Sequence, residues 1–365
     1  MTPANSFVRL TLENFRRFAK AEVTLAESGL TLISGPNGSG KSTLLESVYL
    51  LCLGRPARDI RVLSLLCRTG GSPYFRVEVE RAAGEPKVRS VAFLAGSALV
   101  FHEDGRPVRR SDLIGRPPVV LFSAEEMRMV TGEPARRRKW MDRILAQENP
   151  EYLSRLRRYT RALEDRNAFL RAAGSSVLDE HALLAYDETL AGDGGEIMSG
   201  RRKLIEEVQA ALPDRLASLG AAHLAGRTRL RIQETAAEDL LGALISHRAQ
   251  DRAAGHTTVG PHRDDVLMMD VNLPAQETLS QGEIRILSLA LKCIEAARLS
   301  RVSLPILLFD DLFSELDEER RAAVTAFLTP YAGQALVTTC LPPPMDLLAA
   351  VRQRIDLKNS VLDGI

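Results

Sequence analysis

The chain has 365 residues, 45% of them apolar and 26% charged, with 48 Lys and Arg against 47 Asp and Glu. This length buries a core without staples and suggests two to three domains, while the composition excludes wholesale disorder and collagen-like repeats. The formal charge of +1 exerts no global pull toward nucleic acid or membrane, so any basic surface must be local. Seven of the cations are Lys and 41 are Arg. Codon bias in a GC-rich genome is the simplest reading, although Arg is also the better phosphate fork.

In chain order, Val8, Leu10 and Leu12 alternate on one face and Ala21, Val23 and Leu25 on another, on either side of the bend at 13–18. That pattern predicts a strand, a turn and a second strand. Residues 30–33 form a third short strand, which runs into a glycine-rich turn and a helix with Leu44, Leu45, Val48 and Leu51 at helical spacing. Between 73 and 123 the strand candidates 75–79, 91–94, 98–101 and 119–122 are separated by turns at 83–86 and 95–97 and by the hairpin signal Asp104–Gly105, which predicts an antiparallel meander. From about 125 to 219 the pattern is helical, with Leu153, Leu156, Leu163, Leu170, Leu184, Leu190, Ile197, Leu204, Ile205 and Val208. A break at 174–176 turns one helix back on another, and no heptad register holds long enough for a coiled coil. Strands return at 230–233 and 266–269, then a helix at 283–299, a buried-type strand at 306–309, a helix at 318–328 and a last strand at 335–339. The expected fold is α/β: one domain built from both chain ends, 1–125 and 220–365, including the meander at 73–123, with a helical lobe inserted at 126–219.

Gly35-Pro36-Asn37-Gly38-Ser39-Gly40-Lys41-Ser42-Thr43 fits G-x-x-x-x-G-K-[ST] between the predicted strand and helix. Glycines at 38 and 40 let backbone N–H groups turn inward around phosphate oxygens. Lys41 then reaches the β- and γ-phosphates of ATP, and the Ser42 hydroxyl completes Mg²⁺ coordination. The apolar run 306–309 ends in Asp310 and Asp311, as a Walker B strand does. Asp310 is expected beside the metal, and Asp311 is placed to orient or deprotonate the attacking water. Leu279-Ser280-Gln281-Gly282-Glu283 opens the next-to-last helix, where a Ser and a Gly make an anion site; Ser-x-x-Glu is also a capping box.

The order of P-loop, LSQGE, Asp310–Asp311 and then Ser314-Glu315-Leu316-Asp317 resembles that of ABC-type ATPases, with their signature and D-loop. The resemblance implies a two-fold dimer in which Ser280 and Gly282 of one subunit meet the γ-phosphate held by the other subunit's P-loop. Within that class, 269 positions separate Lys41 from Asp310, about twice a transporter-type spacing and far less than in the long coiled-coil chromosome and repair ATPases. The chain resembles the RecF family over essentially its whole length. The likeness is carried by L-x-N-F-R at 12–16, FSAEE at 122–126, TVGPHRDD at 258–265, LSQGE, and FDDLFSELD at 309–317. That resemblance implies a recombination mediator that binds duplex, gapped or junction DNA as an ATP-dependent dimer, acting with RecR and RecO to load RecA. Transporter-like ATPases carry a His after the last strand and a Gln after the equivalent of 119–122. Here Thr338 and Thr339 stand at the first place, and Ser123, Glu125 and Glu126 at the second. Both departures count against the alternative, an ATPase subunit of a membrane transporter, and favour slow hydrolysis.

Residues 133–171 hold eleven cations and six acids, densest at Arg136, Arg137, Arg138 and Lys139 and at Arg155, Arg157, Arg158 and Arg161. Such a run forms either a solvated helix face or a phosphate-backbone contact; without interleaved aromatics, base stacking is not expected. Trp140 reads as core, and His262 with Asp264 and Asp265 as a rigid turn with no chemistry. Cys52, Cys67, Cys293 and Cys340 match neither zinc nor disulfide spacing. The opening ten residues are no secretory signal, and the longest uncharged apolar-rich stretch, 91–101, is far short of the roughly 20 residues that span a bilayer. A cytoplasmic protein is expected.

Overall fold

The computed structural model describes residues 6–67, 71–82, 87–173, 179–236, 239–313, 316–340, 345–358 and 361–364. It divides into two compact units, one of Met1–Met127, Arg215–Ala222 and Gln281–Ile365, the other of Arg128–Asp214 and His223–Ser280. The first unit begins with the hairpin β1 (Phe7–Phe15) and β2 (Phe18–Thr24), then β3 (Gly29–Ser34), the helix Lys41–Leu53, β4 (Tyr74–Arg81), β5 (Val88–Leu94), β6 (Val100–Glu103), β7 (Arg106–Val108) and β8 (Val119–Phe122). The second holds the helices Pro134–Glu148 and Pro150–Ala173, most of Glu180–Ser218, and β9 (Thr228–Gln233), β10 (Asp265–Asp270) and β11 (Leu273–Pro274). The first unit resumes with the helix Gln281–Leu299, β12 (Ile306–Phe309), the helix Glu318–Leu328, β13 (Gln334–Thr339), the helix Met345–Ala350, β14 (Val351–Lys358) and β15 (Val361–Gly364). The turn at 83–86, the break at 174–176 and the pair Ser314–Glu315 lie outside the described residues.

Two sheets build the first unit. An antiparallel sheet has the order β2-β1-β4-β5-β6-β7; the other runs β15-β14-β3-β13-β12-β8 and is parallel except at β15. In the parallel sheet β8, β12 and β13 are buried at every position, as strands covered on both faces must be. The helix Lys41–Leu53 packs against β4 and β5 of one sheet and β8 and β13 of the other, which explains its unbroken buried run from Leu44 to Leu53. The sequence pattern groups the strands at 119–122 and 75–101 in one meander. The structure separates them: β4 to β7 are antiparallel neighbours, whereas β8 pairs parallel with β12. Val119–Phe122 is apolar throughout, a pattern for two-sided burial rather than for a meander with one wet face. The first strand also differs in detail. Phe7, Leu10, Leu12 and Phe15 are buried and Val8 only half so, because an irregularity in pairing with β4 between Phe7 and Arg9 shifts the face. The β6–β7 hairpin turns on Asp104 and Gly105, both at positive φ (48° and 76°), as a tight hairpin requires.

Residues 223–280, expected with the ATPase domain, group instead with the helices. The reason is pairing: among the described residues the strands β11, β10 and β9 pair only with one another, in a separate three-stranded sheet, and Pro134–Glu148 packs on β10. Buried ion pairs tie the helices of this unit. Arg166 holds Asp187 at 2.8 Å and Asp251 at 2.7 Å, all three fully buried, and donates to Thr257 Oγ1 at 2.7 Å. Arg201 holds Asp142 through both Nε and Nη2 and donates to the Pro261 carbonyl at 2.6 Å. Gly260, at φ 122°, lies so close to Tyr159 that a Cβ there would sit 2.8 Å from its hydroxyl.

Among the described residues no helix is long and apolar enough to cross a membrane, no group of three His, Cys, Asp or Glu side chains is placed to hold a metal, and the four cysteines form no disulfide.

Two predictions follow from this packing. Gln334 is buried, accepts from Phe7 N at 3.0 Å and donates to the carbonyls of Phe7 (2.7 Å) and Ala26 (2.8 Å), joining β13 to the start of β1. Gln334→Ala strands three backbone groups and will lower unfolding free energy by roughly 2–4 kcal/mol in urea titration. His262 Nε2 faces the Thr257 carbonyl at 3.1 Å and Nδ1 the Tyr159 hydroxyl at 2.7 Å. Burial pushes this imidazole down to about 4. An unfolded His takes its proton near pH 6.5, so the contribution is complete above that value and is lost as pH falls toward 4. Between pH 7 and 4.5 the urea midpoint of the wild type will fall more steeply than that of His262→Gln.

Candidate functional site

Three adjacent parallel strands deliver the site. β13 lies between β3 and β12, and all three point the same way. Their carboxyl ends therefore sit side by side: the loop 35–40 after β3, Asp310 and Asp311 after β12, and Thr338 near the end of β13. A cavity of about 400 Å³ opens there, lined by Arg17, Asn37, Gly38, Gly40, Lys41, Ser42, Thr43, Asp310, Asp311 and Cys340.

The loop is shaped by what lies under it. Gly40 has φ 108°, and a Cβ there would come 2.5 Å from the Phe18 ring of β2, so only glycine lets the backbone lie on that ring. Lys41 is buried, and its ammonium donates to the carbonyls of Gly35 (2.7 Å) and Pro36 (2.9 Å), folding it over the loop. Ser39 is buried in the turn, with its N–H donating to Pro36 O at 3.2 Å. The hydroxyl of Ser42 donates to Asp310 Oδ1 at 2.8 Å, and Thr338 donates to the same oxygen at 2.8 Å. The Thr338 hydroxyl also accepts the Asp311 N–H at 2.8 Å.

Asp311 is held in the left-handed region at φ 51°, a conformation Asp adopts more readily than most residues. Its backbone is clamped from both sides: Thr338 takes its N–H, and the Arg285 guanidinium donates to its carbonyl at 2.7 Å. Arg285 is itself buried with its guanidinium 5.6 Å from the Phe122 ring centroid. Asp311 lines the cavity.

The structure thus brings together Lys41, Ser42, Asp310 and Asp311. Ser280 and Gln281 are exposed at the start of the helix Gln281–Leu299, and neither Gln281 nor Gly282 lines the cavity. Glu126, in the segment 123–126 where no Gln stands, accepts from Lys292 at 2.6 Å, and Lys292 also bonds Glu295 at 2.9 Å.

Sequence reasoning missed four contributors. Arg16 and Arg17 form the β1–β2 turn; Arg16 reaches Glu46 of the P-loop helix at 2.8 Å, while Arg17 lines the cavity. Burial pushes the Glu46 carboxyl up, against the pull of Arg16 and Arg58. Cys340 bonds Asn37 Oδ1 at the cavity rim, 2.8 Å away. Arg285 had one available signal, a cation on a helix otherwise buried from Ile284 to Ala296.

The candidate DNA-contacting cations are divided. Arg137 is bidentate on Asp265 (2.7 and 2.8 Å), and Arg138 donates to the Asp264 carbonyl at 2.6 Å. Arg158 is bidentate on Asp193 (2.9 and 2.6 Å), and Arg155 bonds Glu151 at 2.7 Å. Arg136 is half-buried and Lys139 exposed. Trp140 is core, as expected.

Comparison with known proteins agrees with this geometry. The AAA domain family matches residues 9–94. The chain is 34% identical to the DNA replication and repair protein RecF of Chloroflexus aurantiacus, covering 94% of this chain and 96% of that one. It is also 34% identical to the protein of the same name from Thermomicrobium roseum, over 90% and 92% of the two chains. In fold it is similar to a solved recombination mediator protein RecF with ATP, at TM-score 0.87 and 24% identity over 100% of this chain and 98% of that one. A solved Smc head is similar at TM-score 0.59 and 15% identity, covering 99% and 97%. The fold is that of RecF and SMC head ATPases, without a long coiled coil. With a P-loop sequence and paired carboxylates at the ends of parallel strands in that frame, and relatives this similar over nine-tenths of its length, the chain belongs to the RecF family of ABC-type ATPases.

Proposed function

We propose that the protein is an ATP-controlled, DNA-binding recombination mediator. The observation that carries this reading is the convergence of Lys41, Ser42, Asp310 and Asp311 at one cavity. The residues present fit Mg²⁺ and ATP. Ser42 Oγ and Asp310 Oδ1, 2.8 Å apart, are the hard oxygen donors that a small divalent cation takes. The loop offers backbone N–H groups and an ammonium to phosphates. Mg²⁺, when bound, supplies charge neutralisation along the phosphates.

In this mechanism Lys41 leaves the carbonyls of Gly35 and Pro36 for the β- and γ-phosphates, and Arg17 adds a second cation at the cavity mouth. Asp310 is held by Ser42 and Thr338 in the orientation that a metal ligand needs. Asp311, its backbone clamped by Thr338 and Arg285, orients the attacking water and accepts its proton. Thr338 acts through these two carboxylates and is a positioning residue.

Exposed Ser280 and Gln281, with Gly282, serve a second copy of the chain: each signature completes the phosphate site of the partner, and ATP holds a two-fold dimer together. Hydrolysis removes the γ-phosphate and loosens it, so turnover is slow and regulatory. DNA is gripped through its phosphate backbone by cations of the second unit, Arg136, Arg137, Arg138, Lys139, Arg155 and Arg158 among them, with preference for gaps and junctions. A similar solved protein is a recombination mediator, RecF, in the RecFOR pathway, which supports RecR and RecO as partners; loading of the recombinase RecA, in the cytoplasm, completes the proposed role.

Sedimentation velocity tests the dimer. With Mg²⁺ and ATP the wild type will sediment as a dimer, whereas Lys41→Arg and Ser280→Arg will stay monomeric; a wild type that is monomeric under every condition contradicts the proposal. Thr338→Val will bind ATP within about threefold of wild type but lose at least roughly tenfold in steady-state turnover, the scale on which a mispositioned reacting group acts.

A further inference from the structure

The second unit carries an arginine pair that neither the fold nor the nucleotide site uses. In the β9–β10 register Leu230 stands opposite Met268 and Thr228 opposite Asp270, and these four side chains are buried. Arg229 stands opposite Met269 and Arg231 opposite Leu267, on the other face of the sheet. There both arginines are exposed, together with Gln233, while Leu267 and Met269 are half-buried. Two residues apart on one strand, the arginines emerge ~7 Å from each other.

The acids around them are already engaged. Asp265, at one end of β10, holds Arg137 through both oxygens. Asp270, at the other end, holds Arg227 at 2.5 and 2.6 Å, and Glu234 holds Arg202 at 3.0 Å. Arg229 and Arg231 have no ion pair among the described residues. The face therefore carries an uncompensated double positive charge in a chain whose total is +1. The free edge of β9 is closed at its centre, since Leu230 N donates to Gln209 Oε1 at 2.5 Å from the helix Glu180–Ser218. An incoming partner meets the face rather than adding a strand.

We propose that Arg229 and Arg231 form a contact for the phosphate backbone of duplex DNA, with Gln233 as a neutral donor beside them. This rests on the DNA-binding reading above and adds a surface that reading does not contain. Charge complementarity favours phosphate over an acidic protein segment: the face offers two guanidinium forks, and the residues of β9 and β10 that share it include none of the aromatic anchors that carry protein–protein affinity. Several helical cations of the same unit are tied in ion pairs, whereas these two reach a phosphate without breaking one.

The test is a salt titration of full-length protein on a fluorescent duplex, with ATP and Mg²⁺ present, comparing wild type, R229Q/R231Q and R229K/R231K. Two lost phosphate contacts reduce the log–log salt slope by roughly 1.8 and weaken binding at least about tenfold at 0.15 M salt. The lysine variant will keep the slope, and ATP affinity will be the same in all three. If the wild type binds duplex and R229Q/R231Q binds with equal affinity and slope, this inference is wrong and the DNA-binding reading stands. A wild type that does not bind duplex sinks both. Should a polyglutamate probe bind through these arginines while duplex binding is unaffected by the substitutions, the face belongs to an acidic protein segment instead, and the inference falls.

Discussion

The structure turns on the shared oxygen of Asp310. Ser42 and Thr338 both donate to Oδ1, and through it the ends of β3, β13 and β12 are held at one register. These residues lie as far apart as 42 and 338 in the chain, so this contact requires both chain ends to have folded into one sheet. Everything at the site inherits its position from it. The loop 35–40 lies on Phe18, the Asp311 backbone closes on Thr338, and Arg285 completes the clamp from the helix that the signature opens. A carboxylate held by two hydroxyls is preorganised without being neutralised, which suits a group whose partner is a cation.

The second unit is organised by a different force. Its helices are joined by buried Arg–Asp pairs, chiefly Arg166 with Asp187 and Asp251 and Arg201 with Asp142. Removing one member of such a pair leaves a buried charge uncompensated, at a cost of about 3–5 kcal/mol, so the pairs fix which helices meet. The TVGPHRDD block at 258–265 is part of this scaffold. Gly260 lets the chain pass Tyr159, His262 bridges Tyr159 and Thr257, and Asp265 anchors Arg137. The arginine richness of the chain takes on a second meaning here. Whatever codon usage supplied, a planar fork suits bidentate pairing in a helical core.

Much of this was legible because it is local. The P-loop, the 306–309 strand with its two carboxylates and the helix Glu318–Leu328 each declare themselves within a dozen residues. The split domain was legible because strand–helix alternation occurs at both ends. What the sequence hid is long-range. The apolar run of Val119–Phe122 says that both its faces are covered but not that its neighbour is β12, and β14 carries charged residues at alternate positions that mask its place beside β3. Arg17 gives no sign of entering the cavity until the β1–β2 hairpin folds over the loop. Residues 223–280 read as α/β texture, and only strand pairing assigns them to the helical unit.

Binding of ATP with a divalent cation at the converging ends of β3, β12 and β13 underlies every other proposed property of the protein. Titration calorimetry of the full chain with ATP, in Mg²⁺ and again in EDTA, tests it directly. One saturable site per chain is expected, with affinity that falls sharply without the metal. Absence of saturable binding, or binding indifferent to Mg²⁺, would contradict it.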